Sequence, residues 1–135
     1  MNELEELMES LDLENNSYFY HITSKGFGND ILENGLYLKE NDIRSTTIRI
    51  PKIMIENPEE YCKNEYSNGI VKRQEMVIIG CDKDEEDYLV SEASSWMGDE
   101  KFDYVIPSEY ILGYIDLENL EVTYNESYEY GGRHV

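Results

Sequence analysis

Cysteine is scarce in this 135-residue chain: Cys62 and Cys81 stand alone, with no Cys-x-x-Cys pair and no Cys/His cluster. Neither a disulfide framework nor a metal site is indicated, and both thiols are expected to be reduced and buried. No run approaches the about 20 apolar residues that a membrane span needs. The opening residues, Met-Asn-Glu-Leu-Glu-Glu-Leu-Met-Glu-Ser-Leu, lack the basic start of a secretory leader. A cytoplasmic protein with no membrane partner is therefore expected. Positive charge is also in short supply, with 11 Lys and Arg against 30 Asp and Glu and a net charge of -19. Affinity for a polyanion comes mainly from phosphates neutralised by Lys and Arg, so direct nucleic-acid binding is not expected.

What is present in excess is acid. The charge far exceeds the roughly 2–8 that keep a small domain soluble. It reads either as self-repulsion or as a surface that competes for sites built for phosphate backbones. The middle third departs from the rest: Arg44, Arg49, Lys52, Lys63, Lys72 and Arg73 stand against Glu56, Glu59, Glu60 and Glu65, a net of +2. That stretch is either a source of charge for an anionic ligand or the solvated faces of a strand and a helix. Twelve Tyr against three Phe and one Trp imply many half-buried rings with polar tips, suited also to a groove for a base or sugar.

At this length the chain is expected to form a single domain around one modest core. Leu4, Leu7, Met8 and Leu11 at helical spacing, with Asn2 and Glu5 as a capping box, predict a helix over Glu3 to Leu13. Tyr18 to Ile22 is aromatic and β-branched, as a strand entering the core would be. Asn29 to Asn34 is helical in pattern, with Gly35 as its left-handed stop and Leu36 folding back on the last turn. Ile48, Ile50, Ile53 and Ile55 alternate like a strand, with Pro51 marking an edge or bulge. Asn57-Pro58-Glu59-Glu60 starts a helix running from Tyr61 to Asn68 and ending at Gly69. Glu75 to Cys81 is a buried strand, and Asp82 to Asp87 an exposed acidic turn without the glycine and terminal Glu of a calcium loop. Tyr88 to Met97 is ambiguous between helix and strand. Three more strands follow, over Phe102 to Ile106, Ile111 to Asp116 and Glu121 to Tyr124, and residues 126–135 read as a frayed tail. Early helices and late strands predict an α+β fold with a mixed, mainly antiparallel sheet and short helices.

Two phrases carry a resemblance. Tyr20-His21-Ile22-Thr23-Ser24 followed by Ile31-Leu32-Glu33-Asn34-Gly35-Leu36 resembles the opening of ADP-ribosyltransferase-like proteins, a strand ending in His-x-Thr and a helix closing on Ile-Leu-x-x-Gly-Leu. Val105-Ile-Pro-Ser-Glu-Tyr-Ile111 is similar to the Ile-Pro-x-Glu-x-Ile phrase that precedes a core strand in many of them. The resemblance implies NAD, or a related nucleotide, as the bound small molecule. Cleaving its N-glycosidic bond passes through an oxocarbenium-like state that gains from a nearby carboxylate. It implies that His21 bonds the ribose hydroxyls, that Thr23 and Ser24 line the entrance and that Tyr37 stacks on the nicotinamide. Glu109 and Glu75 are the catalytic candidates it points to, with Asp103 in another register. Arg44-Ser45-Thr46-Thr47 is similar to the Ser-Thr-Ser motif of some toxin branches, and reads equally as a hydroxyl-rich strand edge. Ile22 replaces a glycine that normally brings the backbone against the nicotinamide. Each carboxylate also has an ordinary reading as a surface acid, because thirty acids supply coincidences.

A different class of function competes with this. The same charge suits an inhibitor of the kind phages and mobile elements carry, occupying a basic surface of a host protein without catalysis. RNA 2′-phosphate transfer, which also uses NAD on this fold, fits less well because a phosphorylated RNA end needs several cations.

Overall fold

The computed structural model describes residues 2–38, 47–67, 74–85 and 104–129. Helix α1, Glu3–Ser10, opens with the expected capping box: the Asn2 side chain accepts from the Glu5 amide at 2.8 Å and the Glu5 side chain accepts from the Asn2 amide at 3.4 Å. It buries Leu4, Leu7 and Met8. It ends earlier than Leu13, because Leu11 is extended and Ser10 Oγ donates back to the Leu7 carbonyl at 2.7 Å, closing the turn locally.

Strand β1, Asn16–Thr23, is buried over its first six residues. Helix α2, Phe27–Asn34, stops at Gly35, whose φ of 89° only glycine adopts freely and whose amide bonds the Ile31 carbonyl at 2.8 Å. Leu36 then folds back into the same apolar cluster as Ile31. Strand β2 is Leu36–Leu38 and β3 only Ile48–Arg49. The expected strand through Ile53 and Ile55 is instead helix α3, Lys52–Glu56. Pro51 caps that helix, since its fixed φ suits a helix start and its missing N–H is no loss there. Helix α4, Pro58–Ser67, follows the Asn57-Pro58 signal. Strand β4, Glu75–Asp82, leads into a single 3-10 turn at Lys83–Glu85. After β5, Tyr104–Ile106, a second such turn over Ser108–Tyr110 leads into β6, Ile111–Asp116, and β7 is Val122–Tyr124. Gly69, Tyr88 to Met97 and residues 130–135 lie outside the described residues.

The main sheet has the order β3-β1-β4-β6-β7, every neighbour antiparallel, and β2 pairs with β5 in a separate ribbon. The fold is thus α+β. Side-chain alternation sorts β1 and β4 into two cores. Tyr18, Tyr20, Met76 and Ile78 join residues of α1, α3 and α4 on one face, where the Tyr20 and Tyr61 hydroxyls meet at 2.6 Å. Phe19, Val77, Ile79 and Cys81 join Ile31 of α2, Leu36, Ile106 and Tyr110 on the other. Strand β4 is buried on both faces, which is why it reads as an unbroken apolar run. A bulge opposite Ile78/Ile79 shifts the phase of β6, so that Leu112 and Ile115 both reach the first core.

The segment expected to fray is packed at its start. Tyr128 is buried, and the Glu129 amide bonds the Glu109 carbonyl at 2.9 Å. Asn125 anchors it: its side-chain amide donates to the Ser108 and Ile111 carbonyls at 2.9 Å each, and its Oδ1 accepts from the Ser127 amide at 3.1 Å. Truncating a buried group with this many partners strands the others. Asn125→Ala should cost about 2–4 kcal/mol in urea unfolding. Asn125→Asp should cost at least as much, because a carboxylate would face two carbonyls. A loss below about 0.5 kcal/mol for both would contradict this role.

Candidate functional site

The end of β1 and the start of β4 lie side by side, with Thr23 opposite Glu75 and His21 opposite Val77. Across β4, Glu75 faces Asp116 and Val77 faces Tyr114. Strand alternation therefore puts His21, Thr23, Glu75, Tyr114 and Asp116 on one face, the face covered by α2. His21 and Glu75 are both buried, at 6% and 4% exposure.

Burying a carboxylate at the head of an apolar strand requires donors. They come from the Ser24–Gly28 turn: Glu75 Oε2 accepts from the Gly26 amide at 3.1 Å, and Oε1 from the Gly28 amide at 2.7 Å. Gln74 takes the Lys25 amide at 3.1 Å. Two consecutive side chains thus hold three amides at the start of α2, where the helix dipole also favours negative charge. Gly28 is needed for the approach, since a Cβ there would lie 2.8 Å from Glu75 Oε1 and from the Tyr114 ring. Tyr114 completes the seam by donating to Asn29 Oδ1 at 3.0 Å.

Of the residues singled out from the sequence, His21, Thr23 and Glu75 come together here, and Ser24 lies exposed at the rim, its carbonyl accepting from the Phe27 amide at 3.2 Å. Tyr37 lies elsewhere, opposite Val105 in the β2–β5 ribbon. Glu109 is also remote: it sits half-buried in the turn that leads into β6, whose Ile111 pairs with Ile79, whereas Glu75 is four residues back along β4, roughly 13 Å away. Asp103 and the Arg44 to Thr46 part of the hydroxyl-rich segment lie outside the described residues. Sequence reasoning missed Gln74, Gly26, Gly28 and Tyr114. The signal available was a Lys-Gly-Phe-Gly turn directly after a strand, together with a Gln-Glu pair opening an apolar one.

At the opposite end of β1, an open cleft of about 470 Å³ is lined by Asn16, Ser17, Arg49 and Lys83 among others. It does not adjoin His21. Arg49 lies over the Phe19 ring at 5.0 Å, a cation–π contact.

The thiols are poor nucleophiles. Burial, reinforced by the Glu65 charge, pushes Cys62 up to about 12. Burial, then Glu85 and Asp82, push Cys81 up to about 11, with Arg49 opposing. Since the thiolate is the reactive form, both cysteines should resist a disulfide reagent at pH 8 and label together with global unfolding in urea. Rapid native-state labelling of either would contradict this.

Among the described residues, no three His, Cys, Asp or Glu side chains converge as a metal set, and no helix is long and apolar enough to cross a membrane. Comparison with family models, with curated proteins and with solved structures returns no match.

Proposed function

We propose that this chain is an ADP-ribosyltransferase-like domain that binds NAD or a related nucleotide beside the Ser24–Gly28 turn and transfers ADP-ribose to a macromolecule. The observation that carries the reading is the register of β1 and β4, which sets His21, Thr23 and Glu75 on one face at one end of the sheet.

The fit is of a particular kind. His21 and Glu75 are buried, so a ligand meets the exposed rim of Ser24 and Lys25 and the half-buried Thr23, with hydroxyls for a ribose and a cation for a phosphate. Beneath the rim, both oxygens of Glu75 are engaged by backbone amides, which makes it a positioning residue for the turn. In the transfer the N-glycosidic bond of the nucleotide would break, nicotinamide leaving with the bonding electron pair, and the ribose carbon would bond to a nucleophile of the acceptor, whose proton passes to solvent. The chain's own residues orient the nucleotide: Thr23 and Ser24 by hydrogen bonding, and His21 by fixing the strand end from which they project.

Calorimetric titration with NAD, with His21→Ala in parallel, tests the proposal. Saturable binding that the substitution weakens about tenfold or more, equivalent to about 1.4 kcal/mol, is expected. No heat from either protein at millimolar NAD would sink it.

A second reading rests on charge. Helices α1 and α4 carry acids in their first turns and no basic residue in their last. An acidic protein that occupies a basic partner would bind it in a salt-sensitive way and be indifferent to loss of His21.

A further inference from the structure

We infer that the cleft at the Asn16 end of β1 is a site for a small phosphomonoester, separate from the face that carries His21 and independent of whether NAD binds there. The topology makes the cleft. Strand β1 runs between β3 and β4, but β3 pairs only Phe19 with Arg49 and Tyr20 with Ile48, and its last contact is the Ile50 amide on the Tyr18 carbonyl at 3.0 Å. Pro51 has no N–H to continue the ladder, and α3 begins at Lys52. Strand β1 therefore runs on past the end of β3, and the space beside Ser17 and Asn16 is the open cleft of about 470 Å³.

In charge, the wall of this cleft is the reverse of the molecule. The chain has 30 acids and 11 cations, yet the described residues that line the cleft include two cations, Arg49 and Lys83, and no carboxylate. Only the fold brings these two together. Arg49 arrives from β3 on one side of β1, and Lys83 from the turn that follows β4 on the other, directly after the Asp82 that pairs with Asn16. The Arg49 guanidinium carbon lies 5.0 Å from the centre of the buried Phe19 ring, which locates the charged group itself. Lys83 is exposed and makes no ion pair among the described residues. Asp82 and Glu85 are near enough to act on Cys81, as Arg49 is, but neither lines the cleft.

The chemistry of the wall selects the ligand. A phosphomonoester carries about −1.5 to −2 charges at pH 7 and three terminal oxygens, which matches two cations where a carboxylate would need one. Arginine offers a planar fork to two of those oxygens and lysine a point charge to the third. Ser17 and Asn16, both buried, add polar groups at the sheet itself. Leu13, 47% exposed, and Ile50 give the organic part of the ester an apolar surface. The volume lies within the about 300–1,000 Å³ typical of sites for whole small molecules.

Phenyl phosphate is the probe, titrated calorimetrically into the full chain at low salt beside benzoate and inorganic phosphate, with a thermal melt of each variant. Saturable binding is expected, about tenfold tighter than that of benzoate. Arg49→Lys and Lys83→Gln should each weaken it about fivefold or more, the first because the fork is lost although the charge remains. Lys83→Gln should melt with the wild type, since that side chain is exposed. His21→Ala and saturating NAD should leave the affinity within about twofold. No saturable heat at about 10 mM phenyl phosphate, or binding indifferent to both substitutions, would overturn the site. Benzoate as tight as phenyl phosphate would overturn the doubly charged ligand, and inorganic phosphate as tight would overturn the part given to Leu13 and Ile50. Displacement by NAD would overturn the separation from the His21 face.

Discussion

Gly113→Ala is expected to abolish cooperative folding or to lower stability by about 3 kcal/mol or more. A Cβ on Gly113 would sit on the carbonyl oxygen of Thr123 and 3.1 Å from the Tyr124 Cα, and both are backbone atoms of the neighbouring strand β7. A crowded side chain can rotate away. A paired strand cannot, so relief requires β7 to part from β6 where Gly113 faces Tyr124. Urea unfolding followed by circular dichroism reads the effect. Gly26→Ala is the useful contrast: its Cβ meets nothing within 4 Å, but its φ of 97° is strained for alanine, so a loss nearer 1 kcal/mol is expected. If Gly113→Ala unfolds with the wild type, the close approach of β6 and β7 is wrong.

Glu75→Ala should cost about 3 kcal/mol, a fall of roughly 10 °C in Tm for a domain of this size. The substitution removes a charged acceptor from two amides, and the Gly28 bond is buried. Glu75→Gln keeps one acceptor oxygen and turns a donor toward the other amide, so it should fall between the two. The loss should be local before it is global. Hydrogen exchange at Gly26 and Gly28 should accelerate in Glu75→Ala under conditions where β4 and β6 stay protected. Unchanged protection at both glycines would show that the carboxylate does not hold the turn.

The sequence made the elements plain where a local rule and the global fold agreed. Asn2 and Glu5 announce a capping box that forms, and Glu75 to Cys81 shows the unbroken apolar pattern of a strand buried on both faces. It misled beyond Arg49, where the edge strand stops and the pattern through Ile53 and Ile55 is a helix. There the apolar residues are spaced by two and by three, so they fit either period, and Pro51, which reads as the mark of a strand edge or bulge, starts a helix. The site was half legible. His21 and Thr23 stand out beside the glycine-stopped helix, but nothing local says which carboxylate joins them. That choice depends on register: Thr23 meets Glu75 across 51 intervening residues of chain. The hold of Glu75 on the Ser24–Gly28 turn was invisible for the same reason, because its donors, the Gly26 and Gly28 amides, lie far back in the sequence. A buried acid at a strand start says only that donors exist.

The pairing of β1 with β4 also governs how the chain comes together in time. Asn16 meets Asp82 and Thr23 meets Glu75, so α2, β2, β3, α3 and α4 all lie within the loop that this pairing closes. Closing a long loop adds little to the equilibrium cost, which grows only logarithmically with length. It weighs on the rate, because the entropy must be spent before the nonlocal contacts return anything. The short helices can flicker into shape early, but the two-sided core on which they rest does not exist until the eight pairs of β1 and β4 align. Refolding is therefore expected in milliseconds to seconds, the range of sheet proteins with distant partners, and not in the microseconds open to helical bundles.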